Sequence, residues 1–397
     1  MSVPSYFQPN TIYCGDCKEV LRKFPNECVD LIYLDPPFFS NKTYEIIWHD
    51  GYELIAFEDR WKGGVQNYVG WMVERIEQCY RVLKDTGLFY LHCDWHAGHY
   101  LKVECDKIFG YGNFRNEIVW CYAGGGIPKK DFPRKHDTIF RYAKKNEEYD
   151  KKGVFNTEYR EFGEWTKRHT PRHSLTSGGE KLDMKRGTPI NDWWADLVHL
   201  TSYQKEWLGY PTQKPESLLE RIIKTSSNPM NIVLDPFCGC GTAIAVAHKL
   251  GRQWVGIDVS PTACGLMIKR MNKIGAKPKL VGMPMAEDDL RKLNAWEFQN
   301  WVCQRLFGRV SSRKTSDMGI DGYTYEGYPV QVKQSGDIGR NVVDNFETAL
   351  RRVKKNIGVI VAFSFGKGAY EEIARAKLQE GLEIRPITVK ELLEKRS

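Results

Sequence analysis

Along residues 1–285, short apolar runs that stop at acidic-proline corners alternate with amphipathic stretches of helical period, a pattern that predicts a mainly parallel α/β sheet. In CVDLIYLDPPFF, Val29, Leu31, Ile32, Tyr33 and Leu34 make a buried strand that breaks at Pro36 and Pro37. In MNIVLDPFCGCGTAIAVAHKLGRQWVGIDVS, Ile232, Val233 and Leu234 lead to Asp235, a glycine-rich turn, a helix over 243–250 and a second strand over 254–257 closed by Asp258. This is a βαβ unit. Between them, residues 145–205 lose apolar periodicity and fill with Lys, Arg, His, Trp and Tyr, which reads as an irregular insert. Past about residue 285 the pattern restarts: AEDDLRKLNAWEFQNWVCQRLFGRV reads as one helix, followed by strands around 322–332 and 359–365. A domain boundary near residue 286 follows, with 286–294 as linker and 295–397 as a second domain.

Composition narrows the partners. The 397 residues, 42% hydrophobic and 13% aromatic, suffice for a full core, and a net charge of +8 favours a polyanion over an acidic protein. No apolar stretch is long enough to span a membrane, and the opening MSVPSYFQPN lacks the layout of an export signal, so the expectation is a cytoplasmic protein with no membrane contact. Eleven cysteines in that setting are read as reduced thiols, and the pairs Cys14/Cys17 and Cys238/Cys240 lack the spacing of a zinc site.

The two acidic corners carry the chemistry. Gly239 and Gly241 let the backbone after Asp235 approach a nucleotide-like ligand at a helix N-terminus, and Asp258 is placed to accept hydrogen bonds from two ribose hydroxyls. Asp35-Pro36-Pro37-Phe38 suits a different task. An aromatic exocyclic amine is a poor nucleophile because its lone pair is delocalised. The Asp35 carboxylate and the Pro36 carbonyl can accept its two hydrogens and free that lone pair, the prolines fix the corner, and Phe38 offers a face on which an extruded base stacks.

From Tyr13 to Pro261 the sequence resembles the exocyclic-amine DNA methyltransferases of the permuted β group: DPPF precedes DPFCGCGT, YPTQKPESLLERII stands before the second motif, and YCGDCKEVL, LHCDWHAGHYLKV, FRNEIVW and HDTIFRY match further segments. The resemblance implies a Rossmann-like methyltransferase fold, S-adenosylmethionine as methyl donor and double-stranded DNA as substrate. It puts Asp35, Pro36, Pro37 and Phe38 at the target amine, and Asp16, Cys17, Gln213, Lys214, Asp235, Phe237, Gly239, Gly241, Thr242 and Asp258 around the donor. It also makes 145–205 the target-recognition insert. Adenine N6 is favoured over cytosine N4 because Asp opens the first motif. A relative acting on RNA or on protein glutamine usually carries Asn there.

The C-terminal stretch resembles the Mrr-like branch of the small α/β restriction-endonuclease fold through SDMGIDGYTYEGYPVQVKQS. Asp321 would hold Mg²⁺, with Gln331 and Lys333 on an adjoining strand and Glu297 on the preceding helix completing a nuclease site. With Gln331 in an acidic slot, a domain that binds DNA without cutting it is the alternative. The leading expectation is restriction and modification in one chain; the rivals are an orphan methyltransferase with a DNA-gripping tail, and a non-catalytic nucleic-acid-binding protein. A homodimer is among the expected assemblies.

Overall fold

The computed structural model describes residues 6–39, 42–47, 53–59, 64–123, 128–161, 187–201, 203–210, 212–284, 286–306, 309–310, 319–324 and 326–394. The first unit is built on a nine-stranded sheet. Its strands are β1 Thr11–Cys14, β2 Val29–Leu34, β3 Leu83–Cys93, β4 Phe114–Cys121, β5 His136–Ala143, β6 Trp193–Trp194, β7 Ile232–Asp235, β8 Gln253–Asp258 and β9 Lys279–Val281. Their spatial order is β6-β4-β5-β3-β2-β7-β8-β1-β9. Only β5 runs antiparallel to its neighbours, as the apolar runs predict for a mostly parallel sheet.

Strand residues alternate between two cores because successive side chains point to opposite faces. Leu31 and Tyr33 pack with α4 (Glu216–Ser226), α5 (Thr242–Lys249) and α6 (Pro261–Lys273). Val29, Ile32 and Leu34 pack with α1 (Cys17–Leu21), α2 (Gly64–Val82) and α3 (Gly98–Phe109). The expected helix over 243–250 is α5, and the expected strand over 254–257 is β8. At about 25 cal/mol per Å², each fully buried Leu or Ile here contributes roughly 1.5–3 kcal/mol.

The second sheet holds β10 Arg309–Val310, β11 Gly322–Tyr323, β12 Pro329–Val332, β13 Ile357–Ala362 and β14 Glu383–Thr388, in chain order. On one face lies α7 (Ala295–Arg305), through Phe298, Trp301 and Val302. On the other lie α8 (Arg340–Arg352) and α9 (Lys367–Glu380), through Val343, Phe346 and Ala376. The expected single helix over 286–310 is instead two, Glu287–Arg291 and α7. Asn294 explains the break: its Oδ1 accepts from the Glu297 backbone N–H at 2.9 Å and so starts a new helix.

The insert over 145–205 is more ordered at its ends than the composition suggests. Asn146–Lys152 is helical, and β6 pairs with β4, with the Trp120 indole donating to the Leu197 carbonyl at 3.1 Å. Residues 162–186, its most basic part, lie outside the described residues. Among the described residues no helix is long and apolar enough to cross a membrane.

Candidate active site

Strands β2 and β7 are parallel neighbours, with Leu31 beside Val233 and Ile32 beside Leu234. Adjacent strands lie about 4.8 Å apart, so Asp235 at the end of β7 and Asp35, two residues beyond its level on β2, leave the sheet at the same end. From β2 the chain moves outward to β3, and from β7 it moves the opposite way to β8. This is a topological switch point, where a crevice opens beyond the strands' carboxyl ends. Asp258, at the end of β8, reaches the same crevice. All three carboxylates line one cavity of about 410 Å³, together with Pro36, Pro37, Phe38, Phe237, Gly239 and Thr242.

The turn after β7 is held to its shape by both glycines. Gly241 caps α5 at φ +81°, where a Cβ would stand 2.9 Å from Met267 Cγ. Gly239 has φ +53°, and its N–H donates to Asp258 Oδ2 at 2.8 Å. Asp258 Oδ1 accepts from the Ser260 N–H at 2.9 Å. Burial pushes the Asp258 carboxyl up to about 6 despite those two donors. Burial, reinforced by the nearby Asp35 charge, pushes Asp235 well above the usual carboxylate range.

Asp35 has a cation of its own. The Lys214 ammonium donates to its two oxygens at 2.9 and 2.7 Å and lies 4.8 Å from the centre of the Phe38 ring. Lys214, expected beside the donor, thus also steadies the first corner. The Tyr68 hydroxyl donates to the Pro37 carbonyl at 2.5 Å, fixing the second proline. Pro36 itself lines the cavity.

The remaining donor-side residues divide. Gln213 lines the cavity, but its amide is tied to its own loop, accepting from Leu208 N–H and donating to the Glu206 carbonyl. Thr242 accepts from Arg270 at 3.0 Å. Asp16 and Cys17 are not among the cavity-lining residues. Asp16 caps α1 and pairs with Arg75, whose guanidinium stacks 3.6 Å from the Trp71 ring, and Trp71 in turn borders the cavity beside Phe237. Asp16 is therefore two side chains removed from the cavity. Cys17 packs in the core with its thiol pushed up to about 12 by burial, which marks an inert packing residue.

Long-range residues complete the floor. Tyr33 and His92 Nδ1 share a hydrogen bond of 2.7 Å, His92 Nε2 meets Asp137 at 3.1 Å, and Tyr122 donates to Asp137 at 3.0 Å. His92 is fully buried and lies 5.7 Å from the Phe38 ring. Burial works to raise the Asp137 carboxyl, but the His92 hydrogen bond and charge, with Lys214, hold it below the ordinary range. LHCDWHAGHY and HDTIFRY carry this pair in sequence, yet nothing local says that the two strands meet. Trp71, Tyr210, Ser260 and Asn294 are further wall residues that sequence reasoning missed.

The proposed nuclease quartet is not assembled as expected. The Glu297 carboxyl accepts from Ser260 Oγ at 3.2 Å and borders the cavity of the first unit. Asp321 Oδ2 accepts from the Val332 N–H at 2.7 Å, and Gln331 is buried at 3% exposure with Oε1 unpartnered. Among the described residues, one carboxylate and one amide are a poor donor set for Mg²⁺, which favours several anionic oxygens. The residues do not fit the ion.

The family model described as DNA methylase, for N6 and N4 methyltransferases, matches residues 29–269. The DNA adenine methyltransferase YhdJ of Escherichia coli K12 is 32% identical over 266 residues, covering 67% of this chain and 83% of that protein. The type II methyltransferase M.BamHI of Bacillus amyloliquefaciens is 30% identical over 303 residues, covering 73% of this chain and 65% of that protein. The solved M1.HpyAVI complex with S-adenosylmethionine aligns over 66% of this chain and 98% of that chain, at 22% identity and a TM-score of 0.43.

Proposed function

This chain belongs to the N6/N4 DNA methylase family, and on that footing we propose that it moves a methyl group from S-adenosylmethionine to the N6 amine of an adenine extruded from double-stranded DNA. The observation that carries the proposal is the shared cavity: the Asp35 corner and the glycine turn with Asp258 open into one space of about 410 Å³. When bound, the donor supplies an electrophilic methyl on a sulfonium. Asp258 suits its ribose hydroxyls, and the turn over 238–241 lets its backbone come close. Asp35 and the Pro36 carbonyl accept hydrogen bonds from the two amine hydrogens, Asp35 takes one of them as a proton as the nitrogen–methyl bond replaces the sulfur–methyl bond, and Phe38 stacks on the flipped base. Lys214 must yield one Asp35 oxygen as the amine arrives. Alignment of nitrogen, methyl and sulfur supplies most of the rate.

The adenine preference is supported by Asp at the head of the first corner and by the adenine activity named for the E. coli relative. Service as the modification half of a restriction–modification system is supported by the type II relative. The described ends of the insert over 145–205 border the sheet edge at β6, in keeping with a recognition role. Mass spectrometry of nucleosides from duplex DNA treated with the protein and S-adenosylmethionine tests the reading. N6-methyladenine is expected; N4-methylcytosine would replace the base, and an unmarked duplex would end the proposal.

For the C-terminal unit no hydrolytic step is assigned, and DNA holding is the reading kept. Against hydrolysis stands the donor set among the described residues, in which Asp321 is the carboxylate left once Glu297 faces Ser260. Supercoiled plasmid with Mg²⁺ should stay uncut; nicking lost in Lys333→Ala would restore the nuclease.

A further inference from the structure

The wall of the cavity beyond Asp258 comes from outside the matched family region. Asn294, the last residue of the linker, and Glu297, in the first turn of α7 in the second unit, both border the space that Asp258 and Ser260 enclose. The contact is built: Cys303, two turns along α7, is buried against Tyr210, Cys240, Ala263 and Leu266, so α7 packs on α6 and on the glycine turn itself. Glu297 is 9% exposed, and its carboxyl accepts from Ser260 Oγ at 3.2 Å.

Resting on the methyl-donor reading above, we propose that Glu297 binds the ribosyl end of the donor, so that the C-terminal unit supplies one wall of the methyltransferase pocket. Each ribose hydroxyl is both donor and acceptor. Asp258 takes the hydroxyl hydrogens but, as a carboxylate, has none to give. A carboxyl that keeps its proton can donate to the hydroxyl oxygens, and burial with the facing Asp258 charge pushes Glu297 up to about 8. Among the described residues, the titratable groups facing it are Asp258 from β8, the Tyr210 phenol from the loop before α4, and the buried thiols of Cys240 and Cys264 near that phenol. None is cationic, so no charge there opposes a neutral Glu297 at pH 7. Docking of the second unit and loading of the donor are then one linked event.

The test is calorimetric binding of S-adenosylmethionine and of S-adenosylhomocysteine to the full chain at pH 7 and pH 9. Wild type should bind more weakly at pH 9, where Glu297 is ionised. Glu297→Ala should lose about tenfold at pH 7, the size of one buried hydrogen bond. Glu297→Gln, whose amide can still donate, should lose about threefold and bind equally at both pH values. The Ala penalty should shrink with the 2′-deoxy analogue of S-adenosylhomocysteine, a change no merely structural defect produces. Wild-type binding with both variants unchanged would overturn the inference alone. A wild type that binds no donor would remove the donor reading and this inference with it.

Discussion

The first sheet's carboxyl end and the α8–α9 face of the second unit both gather three acidic side chains, but only the first gathering lines a cavity of about 410 Å³. Asp35, Asp235 and Asp258 surround an open cavity with Lys214 as the lysine ion-paired among them. Asp344, Glu347 and Glu372 stand close enough to share a cation, yet Arg340, Arg351 and Arg375 already fill that role, Arg375 reaching both Glu347 and Glu372. Acidic oxygens that spend their lone pairs on arginines hold helices together. Those that face an open cavity are available to a ligand.

The sharpest break of that contrast is at Asp35. Asp35→Ala should lower kcat by about 10³-fold or more, since the amine loses its main acceptor, while calorimetric affinity for S-adenosylmethionine stays near wild type. Turnover within tenfold of wild type would remove Asp35 from the chemistry. Arg375→Ala is the counterpart in the second unit: it takes from buried Glu347 and Glu372 the arginine they share, leaving Arg351 and Arg340 one to each, and should lower the melting temperature by roughly 5 °C while leaving kcat alone. A methylation defect without a thermal shift would mean that the two gatherings are less distinct than their partners imply.

A third substitution asks how far the site extends below its walls. His92→Phe keeps the ring volume but cuts the link from Tyr33 to Asp137 beneath Phe38. About tenfold lower kcat with little change in KM for the donor is expected, because the stacked base loses its alignment and the donor does not. Equal losses in both would instead report general loosening of the fold.

These residues also show what was legible beforehand. Asp35, Asp235, Gly239, Gly241 and Asp258 declare themselves because each motif is contiguous and its chemistry depends on immediate neighbours. The strand-helix-strand unit over 232–258 is likewise local, and its boundaries emerge within a residue or two. His92 and Asp137 are separated by 45 positions and meet only through the pairing of β3 with β5. Glu297 is the instructive failure. Read along its own helix it fitted a nuclease pattern, whereas packing of α7 on α6 turns its carboxyl to Ser260.

The smallest expected effect concerns the ionisation of Asp258, and its sign separates binding from folding. Burial raises this carboxyl to about 6, so the folded chain holds the proton more firmly than the unfolded chain does. Its contribution to stability is therefore fully present below the unfolded carboxylate range, near pH 4, and is lost as pH rises through about 6. Donor binding runs the other way, because the ionised carboxylate accepts ribose hydroxyls best. Between pH 7 and pH 5 the KM for S-adenosylmethionine should rise several-fold while the melting temperature, corrected for other groups with an Asp258→Asn control, gains rather than loses from this residue. Asp258→Asn should also flatten the acid limb of the KM profile. If KM and stability instead fell together across that window, Asp258 would be a packing carboxyl like Glu347, and the contrast between the two acidic gatherings would rest on Asp35 alone.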